Sequence, residues 1–162
     1  MSTRIEQLIA ELEALGEVFE WAGPQSEASI AELERALGVT LPPSYRAFLR
    51  RYGAGGLRAH EGISGIYDNA PLTPNLGTTY GDTIRDRTDR GLPSHLIVIE
   101  RGDEHFPPMC LDTSRPGPDG EYPVVGFWLL SRKVSTDSYA SFAEYLEQSL
   151  ADSLEVIRDE PG

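Results

Sequence analysis

The amino-acid sequence predicts an α+β fold in which a helical hairpin and a C-terminal helix pack on a mainly antiparallel sheet. Apolar residues recur at helical spacing near both ends of the chain, whereas its middle alternates short apolar runs with turns rich in glycine and proline. There is no internal repeat, low-complexity tract or linker in the sequence. Since 162 residues with 40% hydrophobic side chains suffice for one substantial core, we expect a single domain over residues 1–162.

Two elements precede the hairpin. The first is a helix whose apolar face consists of Ile5, Leu8, Ile9, Leu12 and Leu15. The segment 18–21 that follows is compatible either with an extended piece or with a last helical turn. Trp21 stands just before a Gly-Pro turn, and we interpret it as a packing anchor.

The first helix of the hairpin begins and ends with recognisable capping residues. Either Ser26 or Ser29 can cap it, and Ser29 with Glu32 has the spacing of a capping box. Gly38 supplies the permissive residue at which the helix ends.

The second helix of the hairpin starts at a pair of prolines. Pro42 and Pro43 forbid continuation of the first helix and favour a new helix start. The new helix ends at the glycine-rich run 53–56. The residues expected to be buried along the hairpin are Ile30, Leu33, Leu37, Leu41, Tyr45, Phe48, Leu49 and Tyr52.

The middle of the chain loses the helical period. Residues 57–81 predict short strands and turns, and residues 82–90 predict at most a short charged helix closed by Gly91. The residues expected to point inward in the first of these segments are Ile63, Ile66 and Leu72.

Three strands and a final helix complete the prediction. Residues 96–99 predict a buried strand, with further strands expected around 109–111 and over 122–130, so that the three form an antiparallel meander. The last helix opens at Ser141, with Glu144 in the position of a second capping box. Its expected buried face is Phe142, Tyr145, Leu146, Leu150 and Leu154.

Several segments together resemble a known superfamily. The hairpin reads VTLPPSYRAFL at residues 39–49 and is followed by glycines; GLP at 91–93 precedes the buried strand, PVVGFW occupies 123–128, and SFAEYL opens the last helix at 141–146. This combination is similar to the SUKH superfamily, which includes bacterial toxin-immunity proteins and the yeast cell-wall assembly regulator. One difference is the segment 101–108, where family members often have a simpler glycine turn.

The resemblance implies a fold and a kind of function. The fold would be SUKH-like over most of the chain, and the function would be direct protein binding, which in the immunity proteins neutralises a toxin. Contact surfaces in that family differ from one cognate pair to the next, so the resemblance implies no contact residue. The motif residues Leu41, Pro42, Tyr45, Phe48 and Leu49 would belong to the fold.

The charge balance favours a basic partner. The chain has 26 acidic and 14 basic side chains, a formal charge of -12, which should repel nucleic acid and anionic membranes and attract a basic protein. An acidic surface also serves solubility alone, so charge by itself leaves both interpretations open.

The sequence favours a cytoplasmic protein. A single cysteine, Cys110, excludes an intramolecular disulfide, and we expect it to be a buried core residue. The N-terminus has no signal-peptide pattern, and the longest apolar run, 124–130, is far shorter than the ~20 residues of a membrane span.

Motifs for catalysis or metal binding are weak. GISG at 62–65 lacks the second spaced glycine of a nucleophile elbow, and GAGG at 53–56 follows a helix where a phosphate-binding loop would follow a strand. Asp103, Glu104, His105 and Cys110 match no established metal-ligand spacing. No carboxylate pair stands out as acid and base. We therefore expect a protein that is not an enzyme and has no cofactor or metal.

Acidic and aromatic residues gather around the predicted turns of the strand region. Solvated loops account for this grouping, but carboxylates around exposed aromatic residues would also suit docking on a Lys/Arg-rich surface. The candidate partner-binding residues are Tyr67, Glu100, Asp103, Glu104, Asp112, Asp119, Glu121, Tyr122 and Trp128.

Three functions compete on this evidence. The first hypothesis is a non-catalytic immunity protein that binds and neutralises a cognate, basic, nuclease-type toxin. The second is a regulatory or scaffold module of the cell-wall assembly regulator type. A hydrolase is third, because the sequence offers no catalytic arrangement for it.

Overall fold

A computed structural model describes residues 2–60 and 62–160. The described helices are α1 (Thr3–Ala14), α2 (Glu27–Leu37), α3 (Pro43–Arg51), α4 (Thr79–Arg90) and α5 (Phe142–Asp159). The described strands are β1 (Phe19–Trp21), β2 (Gly55–Leu57), β3 (Leu96–Glu100), β4 (Met109–Asp112), β5 (Val124–Trp128) and β6 (Lys133–Tyr139). All pairings between these strands are antiparallel, which confirms the predicted α+β class.

The helical hairpin forms as its capping residues predict. Ser26 is the N-cap of α2, and its hydroxyl accepts a hydrogen bond from the Ser29 N–H at 3.2 Å. The alternative start at Ser29 is wrong, because Ser29 lies inside the helix and its hydroxyl contacts Asn69. Gly38 ends α2 with φ of 69°, in the left-handed region, and α3 has proline in its first turn.

The ambiguous segment before the hairpin is a strand. β1 pairs with β2, with Glu20 opposite Gly56. The chains approach so closely that a Cβ on Gly55, whose φ is +107°, would lie 2.0 Å from the Glu20 carbonyl oxygen, so this position requires glycine. Trp21 lies 4.4 Å from Tyr52 between ring centroids, which confirms it as a packing anchor.

The main sheet has four strands in the order β3-β4-β5-β6. The predicted meander is confirmed, but β5 is shorter than the predicted 122–130, and β6 was not predicted. Most β6 side chains are exposed, because the strand lies at the edge of the sheet; its sequence, KVSTDSY, therefore lacks the apolar alternation that reveals a half-buried strand. At the opposite edge, the Ser64 N–H donates to the Ile99 carbonyl at 2.7 Å.

The sheet is covered on both faces. One face contributes Ile97, Ile99, Leu111 and Val124 to the main core, which also contains the buried faces of α1, α2, α3 and α5. The other face forms a smaller core of Leu92, Leu96, Val98, Cys110, Val125 and Phe127. Cys110 is fully buried, as predicted, and burial raises the pKa of its thiol.

The helix α4 is longer than predicted and buries a polar side. It begins at Thr79, ahead of the predicted 82–90, and Gly91 ends it with φ of 70°. Among its buried residues are Thr79, Asp82, Thr83 and Asp86. Because these side chains are polar, the sequence showed no apolar face from which the helix could be recognised.

Most, but not all, of the residues predicted to be buried are buried in the structure. Ile63 and Ile66 are buried, as predicted. Leu72 is 40% exposed, and Leu15, the C-cap residue of α1, is 49% exposed, so the predictions for these two residues are wrong. The predicted core residues of the hairpin are all buried, as is the predicted face of α5. Ser141 caps α5 by accepting a hydrogen bond from the Glu144 N–H at 3.1 Å.

None of the described helices is long and apolar enough to cross a lipid bilayer.

Candidate interaction surface

The candidate residues divide between the two ends of the main sheet. In the β3–β4 pair, Leu96 lies opposite Asp112, and Glu100 lies opposite Met109. Glu100 and Asp112 are therefore about 13 Å apart along the direction of the strands. We call the two groups the loop end and the α3 end. The loop end contains Glu100, Asp103, Glu104 and Trp128, and the α3 end contains Asp112, Asp119, Glu121 and Tyr122.

Two residues of the α3 end join the strand region to the hairpin. The Glu121 carboxylate accepts hydrogen bonds from the Ser44 N–H at 2.9 Å and from the Ser44 hydroxyl at 2.6 Å. Since α3 has Pro42 at its N-cap and no side-chain cap from that residue, Glu121 supplies the cap from a distant loop. The Tyr122 hydroxyl donates to the Thr40 carbonyl at 2.9 Å.

The other two residues of the α3 end stabilise their own turns. Asp112 is only 6% exposed and accepts from the Ser114 hydroxyl at 2.6 Å and from the Arg115 Nε at 2.9 Å. Burial raises the pKa of the Asp112 carboxyl, but these bonds outweigh it, so the pKa lies below its usual value. Asp119 accepts from the Glu121 N–H at 3.1 Å. The carboxylates of the α3 end are therefore engaged within the chain.

Tyr67 lies in the segment before α4, near Gly77. Its side chain is 41% exposed, and its hydroxyl would be 3.8 Å from a Cβ on Gly77. Partial burial raises the pKa of the phenol, and the charge of Arg101 opposes this shift.

The loop end is organised by the segment 101–108. The Asp103 carboxylate accepts from the N–H groups of His105 at 2.7 Å and Phe106 at 2.8 Å, and these two bonds lower its pKa. A Cβ on Gly102 would lie 2.4 Å from the Pro108 nitrogen, so the turn also depends on glycine. Asp103 thereby holds the loop in a defined conformation while remaining at the surface.

Large apolar side chains are exposed at the loop end. Trp128 is 39% exposed, Phe106 is 68% exposed, and Leu130 is fully exposed at 103%. Trp128 is among the residues predicted from the sequence, whereas Phe106 and Leu130 are not. The available signal was an apolar residue inside a polar turn, as in Glu104-His105-Phe106, where no core face is present to bury it.

Two grooves lie at the loop end, and Trp128 lines both. One, of about 770 Å³, contains Phe106 and Leu130 with Asp103 and Glu104. The other has a volume of about 650 Å³. Its lining includes four carboxylates and one arginine, together with two histidines: Glu100, Asp103, Asp137, Asp152, Arg101, His60 and His105. Apolar side chains rimmed by carboxylates form the kind of patch that binds another protein.

The Glu100 carboxylate is also part of this second groove. It accepts a hydrogen bond from the Tyr145 hydroxyl of α5. The bond connects the end of β3 to α5, so the groove has walls from both the sheet and the helix.

The weak catalytic motifs have structural roles. Ser64, in the GISG segment, donates to the Asp82 carboxylate at 2.6 Å; both side chains are buried, and the Gly77 N–H also donates to Asp82 at 3.2 Å. Burial raises the pKa of this carboxyl. Within residues 2–60 and 62–160, no three His, Cys, Asp or Glu side chains come together in a way that could hold a metal ion.

The chain matches the model of a known protein family. The model of the SUKH_5 family, described as SMI1-KNR4 cell-wall, matches residues 5–151 of this chain. The matched range begins in α1, includes the whole sheet and ends within α5.

Proposed function

Because this chain belongs to the SMI1-KNR4 family of the SUKH superfamily, we propose that it is a non-catalytic immunity protein that binds and neutralises a cognate nuclease-type bacterial toxin in the cytoplasm. Members of the family are generally non-catalytic, which favours a binding function. The observation that carries the proposal is the loop end, where Phe106, Trp128 and Leu130 are exposed beside Asp103 and Glu104.

The apolar part of this surface would supply affinity. Aromatic side chains contribute much of the binding energy at protein interfaces when a partner removes them from water. Trp128 is the last residue of β5 and pairs with Lys133 of β6, so it is presented from a strand. A rigid anchor loses little conformational entropy on binding.

The carboxylates would select the partner. A nuclease carries Lys and Arg side chains that contact phosphates, and the same side chains are attracted to an acidic surface. A net charge of -12 would also accelerate association with a basic protein.

A regulatory or scaffold module is the second candidate function. The description of the matching family, SMI1-KNR4 cell-wall, favours it. Such a module would use the loop end to bind cellular proteins, and it would inhibit no toxin. A toxin gene beside the gene for this chain would favour immunity.

The test is inhibition of the toxin encoded next to this gene. We expect complete inhibition near one molecule per toxin, without added metal or cofactor, and an association rate that falls steeply as salt increases. The double variant D103K/E104K should slow association, whereas the matched variant E13K/E32K, which makes the same charge change on exposed positions of α1 and α2, should have a much smaller effect.

Two outcomes would contradict the proposal. Association that is insensitive to salt and to D103K/E104K would exclude the loop end as the steering surface. Inactivation of the toxin by much less than one equivalent would instead indicate catalysis.

A further inference from the structure

We propose that a third groove, between α5 and the β1–β2 pair, binds a cationic segment of the protein partner through apolar side chains on that segment. We call this the α5 groove. The proposal rests on the proposed function only in taking a basic protein as the partner.

The α5 groove has an apolar floor. It has a volume of about 550 Å³, and Leu57, Ile63, Leu146 and Leu150 lie along it as buried residues. Val156 forms part of the wall and is 60% exposed. Val156 and the half-buried Ile157 supply apolar surface that a partner's apolar side chains would remove from water, which favours binding.

The groove follows the side of α5 that no other helix covers. α1 packs on a different side of α5, where Arg158 forms an ion pair with Glu11 at 2.9 Å. The lining residues of α5 run from Leu146 to Glu160, a length of about 21 Å at 1.5 Å per residue. A helical segment of about 14 residues would match this length.

The charge around the groove selects a cationic occupant. Four carboxylates are among its lining residues: Glu17, Glu100, Asp152 and Glu160. Among the described residues that line the groove, His60 is the one side chain able to carry positive charge. A second copy of this chain is disfavoured as the occupant, because each copy has a charge of -12.

The α5 groove is continuous with the loop end. Four residues line both the α5 groove and the 650 Å³ groove of the loop end: His60, Glu100, Ser149 and Asp152. A partner anchored on Trp128 could therefore extend along α5 without leaving the acidic surface. This would enlarge the contact toward the ~1,600 Å² of a typical stable complex.

The experiment uses Trp21 as a local reporter. The chain has two tryptophans, and Trp21 lines the α5 groove whereas Trp128 does not, so the variant W128F leaves a single reporter there. The probe is a synthetic 14-residue peptide of leucine and lysine with its leucines on one helical face. We expect a saturable change in Trp21 emission.

Variants of the groove separate specific binding from general attraction. In the W128F background, V156K should weaken binding of the peptide about tenfold or more, because it places a cation among the groove's apolar residues. V134K makes the same substitution at a 53% exposed residue of β6 that does not line the groove, and should change affinity less than about twofold. E160K, at an exposed rim position that lines the α5 groove but neither loop-end groove, should also weaken binding of the peptide.

Two results with the peptide would contradict binding in the α5 groove. Equal binding of a peptide with the same composition but no apolar face, or equal effects of V156K and V134K, would overturn the proposal. With the toxin as partner, an effect of D103K/E104K without an effect of V156K or E160K would refute the α5 groove and leave the proposed function standing. Thermal unfolding of each variant would confirm that it is folded.

Discussion

Removing the Glu121 carboxylate should destabilise the fold, although its position in a polar loop predicts little effect. Glu121 accepts two hydrogen bonds from Ser44, one from the N–H and one from the hydroxyl, at the start of α3. Pro42, the N-cap residue, makes no side-chain cap. Without Glu121, the first turn of α3 would lose this cap, and the strand region would lose a contact with the hairpin.

The magnitude follows from the two bonds. A hydrogen bond to a charged group contributes about 1.5–3 kcal/mol, and loss of a helix cap typically costs about 1 kcal/mol. Because Glu121 is partly accessible to water, which can replace one partner, we expect E121A to lower the free energy of unfolding by about 2 kcal/mol. For a domain of this size that corresponds to a melting temperature lower by about 4–8 °C.

The assay is urea and thermal unfolding followed by circular dichroism. E104A is the matched control, since Glu104 has an 85% exposed side chain whose partner is the exposed His105. It should change stability by less than about 0.5 kcal/mol. A double-mutant cycle of E121A with S44A would measure the coupling between the two side chains. Equal stability of E121A and E104A would refute the capping role.

Two further predictions concern the core and the pH dependence of folding. F48A should cost about 3–5 kcal/mol, because Phe48 is fully buried against Tyr45 and Phe142; a loss below about 1 kcal/mol in urea unfolding would contradict the packing. D112N should destabilise the protein near neutral pH, because the folded-state pKa of Asp112 lies below its usual 3.8. The stabilisation by this carboxylate is therefore complete above the unfolded-state pKa and is lost as pH falls through the folded-state pKa. The difference in unfolding free energy between wild type and D112N should stay constant from about pH 7 down to about pH 4 and shrink as pH falls further; a difference independent of pH in the acid range would exclude this explanation.

The helices and the buried strand were predictable because their signals are local. The apolar spacing of the hairpin, the glycine at position 38 and the serine at position 141 each specify an element within a few residues of chain, and the structure has each of them. Elements whose environment comes from distant residues were not predictable in this way. β6 is polar because it is an edge strand, and α4 buries polar side chains because Ser64, Gly77 and the backbone of Val98 provide hydrogen-bond partners.

For the candidate interaction surface, too, some features were predictable from local sequence and others depend on contacts between distant residues. The residue types of an acidic, aromatic-containing strand region, and the family to which the chain belongs, can be read from the sequence. Which of its carboxylates face solvent depends on how the chain folds. Glu121 lies in a polar loop similar in composition to that of Asp103 and Glu104, but its carboxylate bonds to Ser44. Asp112 ends β4 and bonds to Ser114 and Arg115. Phe106 and Leu130 became candidates only once their exposure was known. The physical reason is that composition records which groups are present, whereas exposure depends on contacts between segments far apart in the chain, such as the 77 positions between Ser44 and Glu121.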